Sequence, residues 1–554
     1  MSMFGDYKSY RKFAPQYPQW KTEKDLAEAK RLAYLKNNPS EIKTEDIQKS
    51  KTILRAIDIM DEYSQKRAED MEVATQSIVS VGLEIAMFLG AGLGLLATQL
   101  KPVKNMLGKL LKNNNKLKNA SPIIGMIAGA FVGTIAAFPL FAWAANAEVK
   151  ASRKGRFEAM RNELNDTKTF ATLTPEQEDL LQKNLLELST LKEKKKPFKG
   201  FGESWQTVKD MVVDSSEYIY QKHLFEENLL EDEKHFDEKL SLEEIENAKK
   251  DQQLLTKLVE KIDIASQDYA ENAELATATL ITLATGFSGL FTLGYEKLAN
   301  KFKWKQSALP AGTGLVAMLA SSIFAAQIQK QAARVGRFKV KQELAKHPEQ
   351  LVYVSDEKTG QITDVKINSQ EKMSMFKFLK QAWKNNKEFE KWKKEVGSKE
   401  KNISKAMENI DLTENQLTDA RRLQHNTFKT FNKIDEKSQK YAESIEALGE
   451  SVQAPLSLIF TGIGLSFGIK YLEKAILSMN KKNIDKAFIA NAYMKYISIV
   501  FLSSLPSILI NTYVTKEQKK ASRVANMLAI NELQDYRNFA DYSKFKTENV
   551  NIIK

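Results

Sequence analysis

The sequence predicts an all-α, multi-pass helical membrane protein built from three tandem repeats of about 180 residues. Each repeat is expected to hold a two-helix transmembrane hairpin and a long helical aqueous segment. Three observations predict this class: motifs that each occur three times in the same order, apolar stretches that fall in pairs, and charged segments with helical periodicity between the pairs. Self-similarity at a fixed period indicates architecture more strongly than local propensity does.

The repeat is defined by three motifs. The Phe-Trp motif has a Phe seven residues before a Trp, and the acidic motif reads D-x-x-S-Q-x-x-A-E-x-x-E. The arginine motif reads A-[SA]-R. The copies are Phe13/Trp20, Phe198/Trp205 and Phe376/Trp383 for the first, Asp61–Glu72, Asp263–Glu274 and Asp435–Glu446 for the second, and sites starting at Ala151, Ala332 and Ala521 for the third. They divide the chain into unit 1 (1–197), unit 2 (198–375) and unit 3 (376–554).

Six apolar stretches fall in pairs, one pair in each unit. A helix needs about 20 apolar residues to cross the hydrocarbon core of a bilayer, and most of these stretches reach that length. Buried core helices of a large helical protein are the alternative, which the register with the repeat disfavours. The predicted spans are 78–100 and 120–147 in unit 1, 275–294 and 307–326 in unit 2, and 454–471 and 487–515 in unit 3.

Two kinds of residue inside the spans bear on function. Glu84 is ionisable at predicted membrane depth, where such groups are costly and often functional. Its place near the polar start of the first span also allows an interfacial position. Glycines spaced four residues apart let membrane helices approach closely. The helix-packing glycines are Gly125, Gly129, Gly133, Gly464 and Gly468.

The acidic motif lies just before each first span. Its spacing of three and four residues places the polar side chains on one helix face. Three such faces around a pseudo-threefold axis would form a ring of carboxylates that attracts cations. A solvated or inter-repeat contact face is the alternative, and we favour it. The polar stripe comprises Asp61, Ser64, Glu69, Glu72, Asp263, Ser266, Glu271, Glu274, Asp435, Ser438, Glu443 and Glu446.

The arginine motif follows each second span and has further basic neighbours. Cations at such a position bind anionic headgroups at about 1 kcal/mol each. We therefore expect Arg153, Arg334 and Arg523 to face lipid headgroups. The aromatic residues of the Phe-Trp motif either anchor the chain at the membrane interface or pack against the neighbouring unit.

The segments between the hairpins are predicted to be helical. Long stretches without Gly or Pro lead into the spans, so each first span is expected to continue a helix that rises from the aqueous segment. Residues 350–367 are the exception, because they alternate apolar and polar residues around a turn. That pattern predicts one β-hairpin in unit 2.

Composition limits the chemistry. The chain has 554 residues, a formal net charge of +13, no Cys and four scattered His. The sequence has no metal-ligand spacing, phosphate-binding loop or distinguishable nucleophile–His–acid set, so we expect no enzymatic activity, no metal and no cofactor. The positive charge favours an anionic partner, and beside the predicted spans this partner is a bilayer with anionic headgroups rather than nucleic acid.

Together these features predict a non-enzymatic integral membrane protein that acts as a membrane-anchored helical scaffold or partner-docking array. Protein partners or self-association would accompany the bilayer. A channel or transporter with a pseudo-threefold arrangement of hairpins is the first alternative, and a membrane-remodelling protein is the second. The N-terminus has no apolar signal segment. The termini and the large charged segments are therefore expected in the cytoplasm.

Overall fold

The computed structural model confirms that the chain is all-α. It describes residues 3–64, 154–190, 235–302, 309–360, 373–395, 403–434 and 486–542, with isolated residues 67, 100, 151, 362, 437, 441 and 471. Every regular element in this part of the chain is an α-helix or a 3-10 helix.

Unit 1 begins with two helices that flank a break. Pro15 lies in a 3-10 turn between them, and a proline interrupts a helix because it has no backbone N–H to donate. The elements of this unit are α1 (Met3–Phe13), 3-10 turns at Ala14–Gln16 and Pro39–Glu41, α2 (Tyr17–Asn37), α3 (44–64), α4 (154–162), a 3-10 turn at Thr167–Phe170, and α5 (Pro175–Thr190).

Unit 2 contains the longest described helix. It starts at a capping box in which the Ser241 hydroxyl accepts from the backbone of Glu244 and the Glu244 carboxylate accepts from Ser241; this arrangement satisfies N–H groups that a helix start leaves unpaired. The elements are α6 (Leu242–Lys301), α7 (Leu309–Lys346), a 3-10 turn at Pro348–Leu351, and α8 (Asp356–Thr359). The continuous α6 confirms that the acidic motif and the stretch at 275–294 lie on one helix.

Unit 3 contains a long helix that corresponds to α7 of unit 2. Its elements are α9 (Met375–Glu395), α10 (Ile403–Met407), α11 (414–434), α12 (Lys486–Glu532) and a 3-10 turn at Tyr536–Phe539. Pro506 lies inside α12.

The apolar stretches at 275–294, 307–326 and 487–515 fall within or overlap the described helices α6, α7 and α12. In the part of the chain that the structure describes, no helix combines the length and the apolar character needed to cross a membrane. The stretches at 78–100, 120–147 and 454–471 lie outside the described residues, apart from Leu100 and Tyr471.

The central core is formed by α3, α6 and α11. The residues 8, 5, 4 and 1 positions before the first Asp of the acidic motif are buried on all three helices, a spacing that places them on one face of each. Apolar members from all three helices belong to one cluster. The twelve positions are Ile53, Ala56, Ile57 and Met60; Leu255, Leu258, Val259 and Ile262; Thr427, Thr430, Phe431 and Ile434.

The β-hairpin predicted at 350–367 is wrong for the described residues of that segment, 350–360 and 362, which contain no strand. The alternation itself is real, because Val352 and Val354 are buried against Leu35. The hydrogen-bond partner of the Val354 backbone is a side chain and not a neighbouring strand. The Gln253 amide donates to the Val354 carbonyl and accepts from the Val354 N–H, each at 3.1 Å. One amide on α6 thus replaces a strand partner.

Candidate functional site

The acidic and arginine motifs meet at a close helix crossing within a unit. A Cβ added to Gly336 would lie 3.0 Å from the Ser266 Cα, and one added to Gly155 would lie 2.7 Å from the Ser64 Cα. Ser266 also donates its hydroxyl proton to the Ala333 carbonyl at 3.1 Å. Ser64 and Ser266, the two serines of the polar stripe that the structure describes, are therefore buried at helix crossings rather than facing solvent.

These two glycines were not among the residues that the sequence singled out. Each lies two residues after the arginine of the motif, at matching positions of units 1 and 2. Unit 3 has the fully buried Ala525 at that position. The signal in the sequence was a small residue that recurs two positions after the arginine of the motif. Its role in helix packing can be recognised only once the partner helix is known.

Acidic residues of unit 1 pair with basic residues of unit 2. Asp61 is 8% exposed. One of its carboxylate oxygens lies 2.5 Å from an Arg337 nitrogen and 4.0 Å from an Arg156 nitrogen. One turn earlier on α3, Asp58 pairs with Lys341 of α7. This end of the polar stripe is thus an interface between units 1 and 2.

Unit 2 contacts unit 3 through the same pair of motifs. Arg523 pairs with Asp268 at 2.7 Å and with Glu271 at 2.6 Å. Beside them, the Gln267 side chain donates to the Ser522 hydroxyl at 3.0 Å. The Arg523 guanidinium, predicted to face headgroups, is engaged here by carboxylates of α6.

The Phe-Trp motif of unit 3 packs on unit 2. Trp383 stacks on Phe324 with ring centroids 5.2 Å apart, and Lys387 lies over the Trp383 ring at 5.3 Å. Glu388 pairs with Lys339 at 2.6 Å. Lys387 and Glu388 therefore belong to this contact, whereas Phe376 is 66% exposed.

The Phe-Trp motif of unit 1 packs on unit 3. Trp20 donates its indole N–H to the Asn531 side chain at 3.0 Å, and Phe13 packs against a cluster that contains Ala521 and Val524. Lys24 lies over the Trp20 ring at 5.8 Å. The placement of both described copies supports packing against a neighbouring unit over interfacial anchoring.

Hydrogen bonds at one position connect the three units in a cycle. The residue 11 positions before the first Asp of the acidic motif donates to a carbonyl of the next unit. Gln252 of unit 2 donates to Leu533 of unit 3 at 2.9 Å, and Gln424 of unit 3 donates to Leu164 of unit 1 at 2.6 Å. Ser50 of unit 1 donates to Leu351 of unit 2 at 3.2 Å. The two leucines reached by glutamines, Leu533 and Leu164, each lie three residues before the 3-10 turn that follows α12 or α4.

A buried carboxylate joins all three units at the centre. Asp251 on α6 pairs with Lys49 of unit 1 and with Arg422 of unit 3 at 3.1 Å, and it accepts from Asn426 at 3.1 Å. Burial alone would raise the pKa of Asp251, but Lys49 and Arg422 outweigh it and hold that pKa below its usual value. Lys49 and Asp251 occupy matching positions, so the repeat is asymmetric at this point.

No protein family, curated protein or solved structure matches this chain. The described residues also contain no group of three or more His, Cys, Asp or Glu that could hold a metal ion.

The remaining candidate residues have these positions. Arg334 lies partly buried on α7, and Glu274 lies partly buried on α6. Asp263 belongs to α6, and its side chain is outside the described part. Glu84, Glu69, Glu72, Asp435, Ser438, Glu443, Glu446, Arg153, Phe198, Trp205, Gly125, Gly129, Gly133, Gly464 and Gly468 all lie outside the described residues.

Proposed function

We propose that this chain is a non-enzymatic membrane-anchored scaffold in which three helical units form a closed array and insert their hairpins into a bilayer. The observation that carries the proposal is the set of large apolar side chains exposed on α6 and α7. A soluble protein rarely exposes a large apolar patch without a partner for it. Within the apolar stretches 275–294 and 307–326, the most exposed are Phe287 at 66%, Phe291 at 58%, Val316 at 65% and Ile323 at 61%.

The length of the hairpin supports the same proposal. The helix crossing at Ser266 is 35 residues before the end of α6, which corresponds to about 53 Å at 1.5 Å per residue. A hydrocarbon core is about 30 Å thick. The hairpin is therefore long enough to reach a bilayer from a body that stays in water.

The contacts between units support the scaffold part of the proposal. Units 1 and 2 meet through Asp61 and Arg337, and units 2 and 3 meet through Glu271 and Arg523. Unit 1 returns to unit 3 through Trp20. Recurring motifs therefore serve contact between units, as expected for an array that presents one surface several times rather than for a catalytic centre.

Flotation with lipid vesicles tests the membrane part. The variant Phe287→Glu/Phe291→Glu places two charges on the exposed apolar face and should abolish co-flotation with vesicles of neutral and anionic lipid. The matched control is Leu180→Glu/Leu186→Glu, because these leucines of α5 are also exposed, at 41% and 52%. Co-flotation that is equal for both double variants would contradict the proposal.

A channel is the alternative function, and ion flux through vesicles with the reconstituted protein tests it. A cation-attracting ring requires unpaired carboxylates, yet Asp61 and Glu271 are held by arginines. We therefore expect vesicles with the reconstituted protein to show no ion flux above empty vesicles. Selective flux that is lost in Glu84→Ala would replace the scaffold by a channel. Tubulation or leakage without selectivity would favour membrane remodelling.

We also propose that the termini and the large charged segments face the cytoplasm. The chain is free of Cys, so single cysteines report topology without background labelling. Asn385 is only 4% exposed, whereas the neighbouring Lys384 side chain is 70% exposed. Lys384→Cys should resist an impermeant thiol reagent in intact cells and react after lysis. Labelling in intact cells would reverse the orientation.

A further inference from the structure

A charged cavity lies between the helices α2, α6 and α7. Its volume is about 550 Å³, within the range of small-molecule sites. Its walls come from unit 1 on one side and unit 2 on the other, so the chain forms it only when these units pack together. It is separate from the exposed apolar face of the hairpin, and its lining includes Lys24 and Asp268, which also take part in the motif contacts described above.

Cations outnumber carboxylates at the inner end of this cavity. The Glu28 carboxylate accepts from Arg31 at 2.8 and 2.9 Å and pairs with Lys257 at 3.2 Å and with Lys261 at 2.8 Å. Three cations thus surround one carboxylate. Arg31 is 3% exposed, and a buried charge is costly unless it is compensated. The further partners here are backbone and side-chain oxygens of 349–352, which carry no net charge.

The excess of positive charge affects Lys257. Burial lowers the pKa of Lys257 well below its ordinary value, and Arg31 and Lys261 lower it further, while Glu28 opposes them without outweighing the effect. An anion bound at this end would supply the missing negative charge. It would therefore favour the protonated form of Lys257.

The other lining acids do not cancel this excess at the inner end. Burial raises the pKa of Glu260 to about 7, so this carboxyl is partly protonated at neutral pH. Asp268 pairs with Arg523, and Asp25 and Glu343 are exposed at the rim. Lys21 and Lys24 also line the open side. An entering anion meets lysines both at the rim and inside.

We infer that this cavity is a binding site for a small soluble molecule that carries phosphate, with the phosphate held by Lys257 and Lys261 and the entrance guided by Lys21 and Lys24. Lysine binds phosphate as a point charge and donates charge-assisted hydrogen bonds to it. A lipid headgroup has the same chemistry. However, Lys261 lies 14 residues before Leu275, the first exposed leucine of the apolar stretch, about 21 Å along α6. The soluble source therefore fits better.

Calorimetric titration of the full chain with inorganic pyrophosphate tests the inference. Lys261→Gln should weaken binding about tenfold, the effect of losing one charge-assisted contact. Glu28→Gln should strengthen binding several-fold, because it removes the carboxylate that competes for the same cations. Lys249→Gln is the matched control, since Lys249 is exposed on the same helix over Tyr536. It should change the affinity less than about twofold, as expected for a distant surface charge.

A polar cleft that is not a phosphate site would not show opposite effects of Lys261→Gln and Glu28→Gln on the affinity for pyrophosphate. If Lys261→Gln does not fold, Lys21→Gln at the rim gives the same test with a smaller loss. Absence of pyrophosphate binding at millimolar concentration would overturn the inference, as would an equal loss in Lys249→Gln. Binding to vesicles that contain phosphorylated lipid headgroups, without binding to pyrophosphate, would overturn the soluble ligand.

Discussion

At the Gly336 crossing there is no room for a side chain. A Cβ there would lie 2.9 Å from the Tyr269 Cβ and 3.0 Å from the Ala265 carbonyl oxygen, so α6 and α7 would have to separate. Gly336→Ala should lower stability by about 1–3 kcal/mol through overpacking. Gly312→Ala on the same helix is the control, because nothing lies within 4 Å of its added Cβ. Chemical unfolding of both variants measures the difference, and an equal effect would contradict the close contact.

Asp251 gives the largest effect expected from one residue. Asp251→Asn leaves Lys49 and Arg422 without their shared carboxylate at the centre of the molecule. Breaking a buried pair by removing one partner costs about 3–5 kcal/mol. Asp411→Asn, at an exposed position of unit 3, should leave the unfolding midpoint unchanged. A loss below about 1 kcal/mol for Asp251→Asn, the size expected for a surface pair, would mean that solvent reaches the cluster.

Glu260 makes stability depend on pH near neutrality. Burial raises its folded pKa from 4.5 to about 7. The folded state therefore binds more protons than the unfolded state between these values, and stability falls as pH rises through this window. Glu260→Gln removes the free-energy cost of ionising this buried carboxyl. Its melting temperature should exceed that of the wild type at pH 8 by more than it does at pH 5. An equal difference at both pH values would contradict the raised pKa of Glu260.

At the scale of single elements, the sequence predicted helical segments between the hairpins and misjudged one segment. A long stretch without Gly or Pro was sufficient to predict that one helix, α6, continues from the acidic motif into the apolar stretch at 275–294. Residues 352–354 alternate as a strand does, yet their backbone partner is the side chain of Gln253, 101 residues away. A local pattern predicts which side chains are buried. It does not predict which group makes hydrogen bonds to the backbone between them.

The partners of the candidate residues were also beyond the sequence. The acidic motif suggested a polar stripe, but the pairing of Asp61 with Arg337 joins residues of two units, and Lys49 with Asp251 joins dissimilar residues at matching positions. A repeat predicts that equivalent helices exist. It does not predict where the units differ, and the central ion cluster depends on such a difference.

Gln253 provides a test at the level of the element. Gln253→Leu removes both hydrogen bonds to Val354 and leaves the Val354 N–H and carbonyl without their side-chain partner. The Val354 amide should exchange with solvent faster, since protection requires an intact hydrogen bond. Hydrogen exchange measured by mass spectrometry over 350–360 would show the change, while peptides from α11 should be unaffected. Unchanged exchange at 350–360 would mean that packing of Val352 and Val354 alone protects the segment.

On the scale of the whole molecule, the core belongs to no single unit. Buried side chains of units 1, 2 and 3 form one cluster, and Asp251 takes partners from the other two units. The chain also closes on itself, because Tyr10 of unit 1 donates to Glu517 of unit 3 at 2.6 Å. Removing one unit would expose apolar surface and leave buried charges unpaired, so the units should unfold together.

Cleavage of the chain between units tests this cooperativity. A protease site introduced within 191–197 separates unit 1 covalently from units 2 and 3 but leaves the shared core and the Trp20–Asn531 contact in place. After cleavage, the two fragments should co-elute on size exclusion under native conditions and separate in denaturant. In the Asp251→Asn background they should separate at a lower denaturant concentration, because the ion cluster that joins the units is lost. Fragments that separate under native conditions would mean that each unit is a domain of its own, and the shared core would then contribute little to holding the units together.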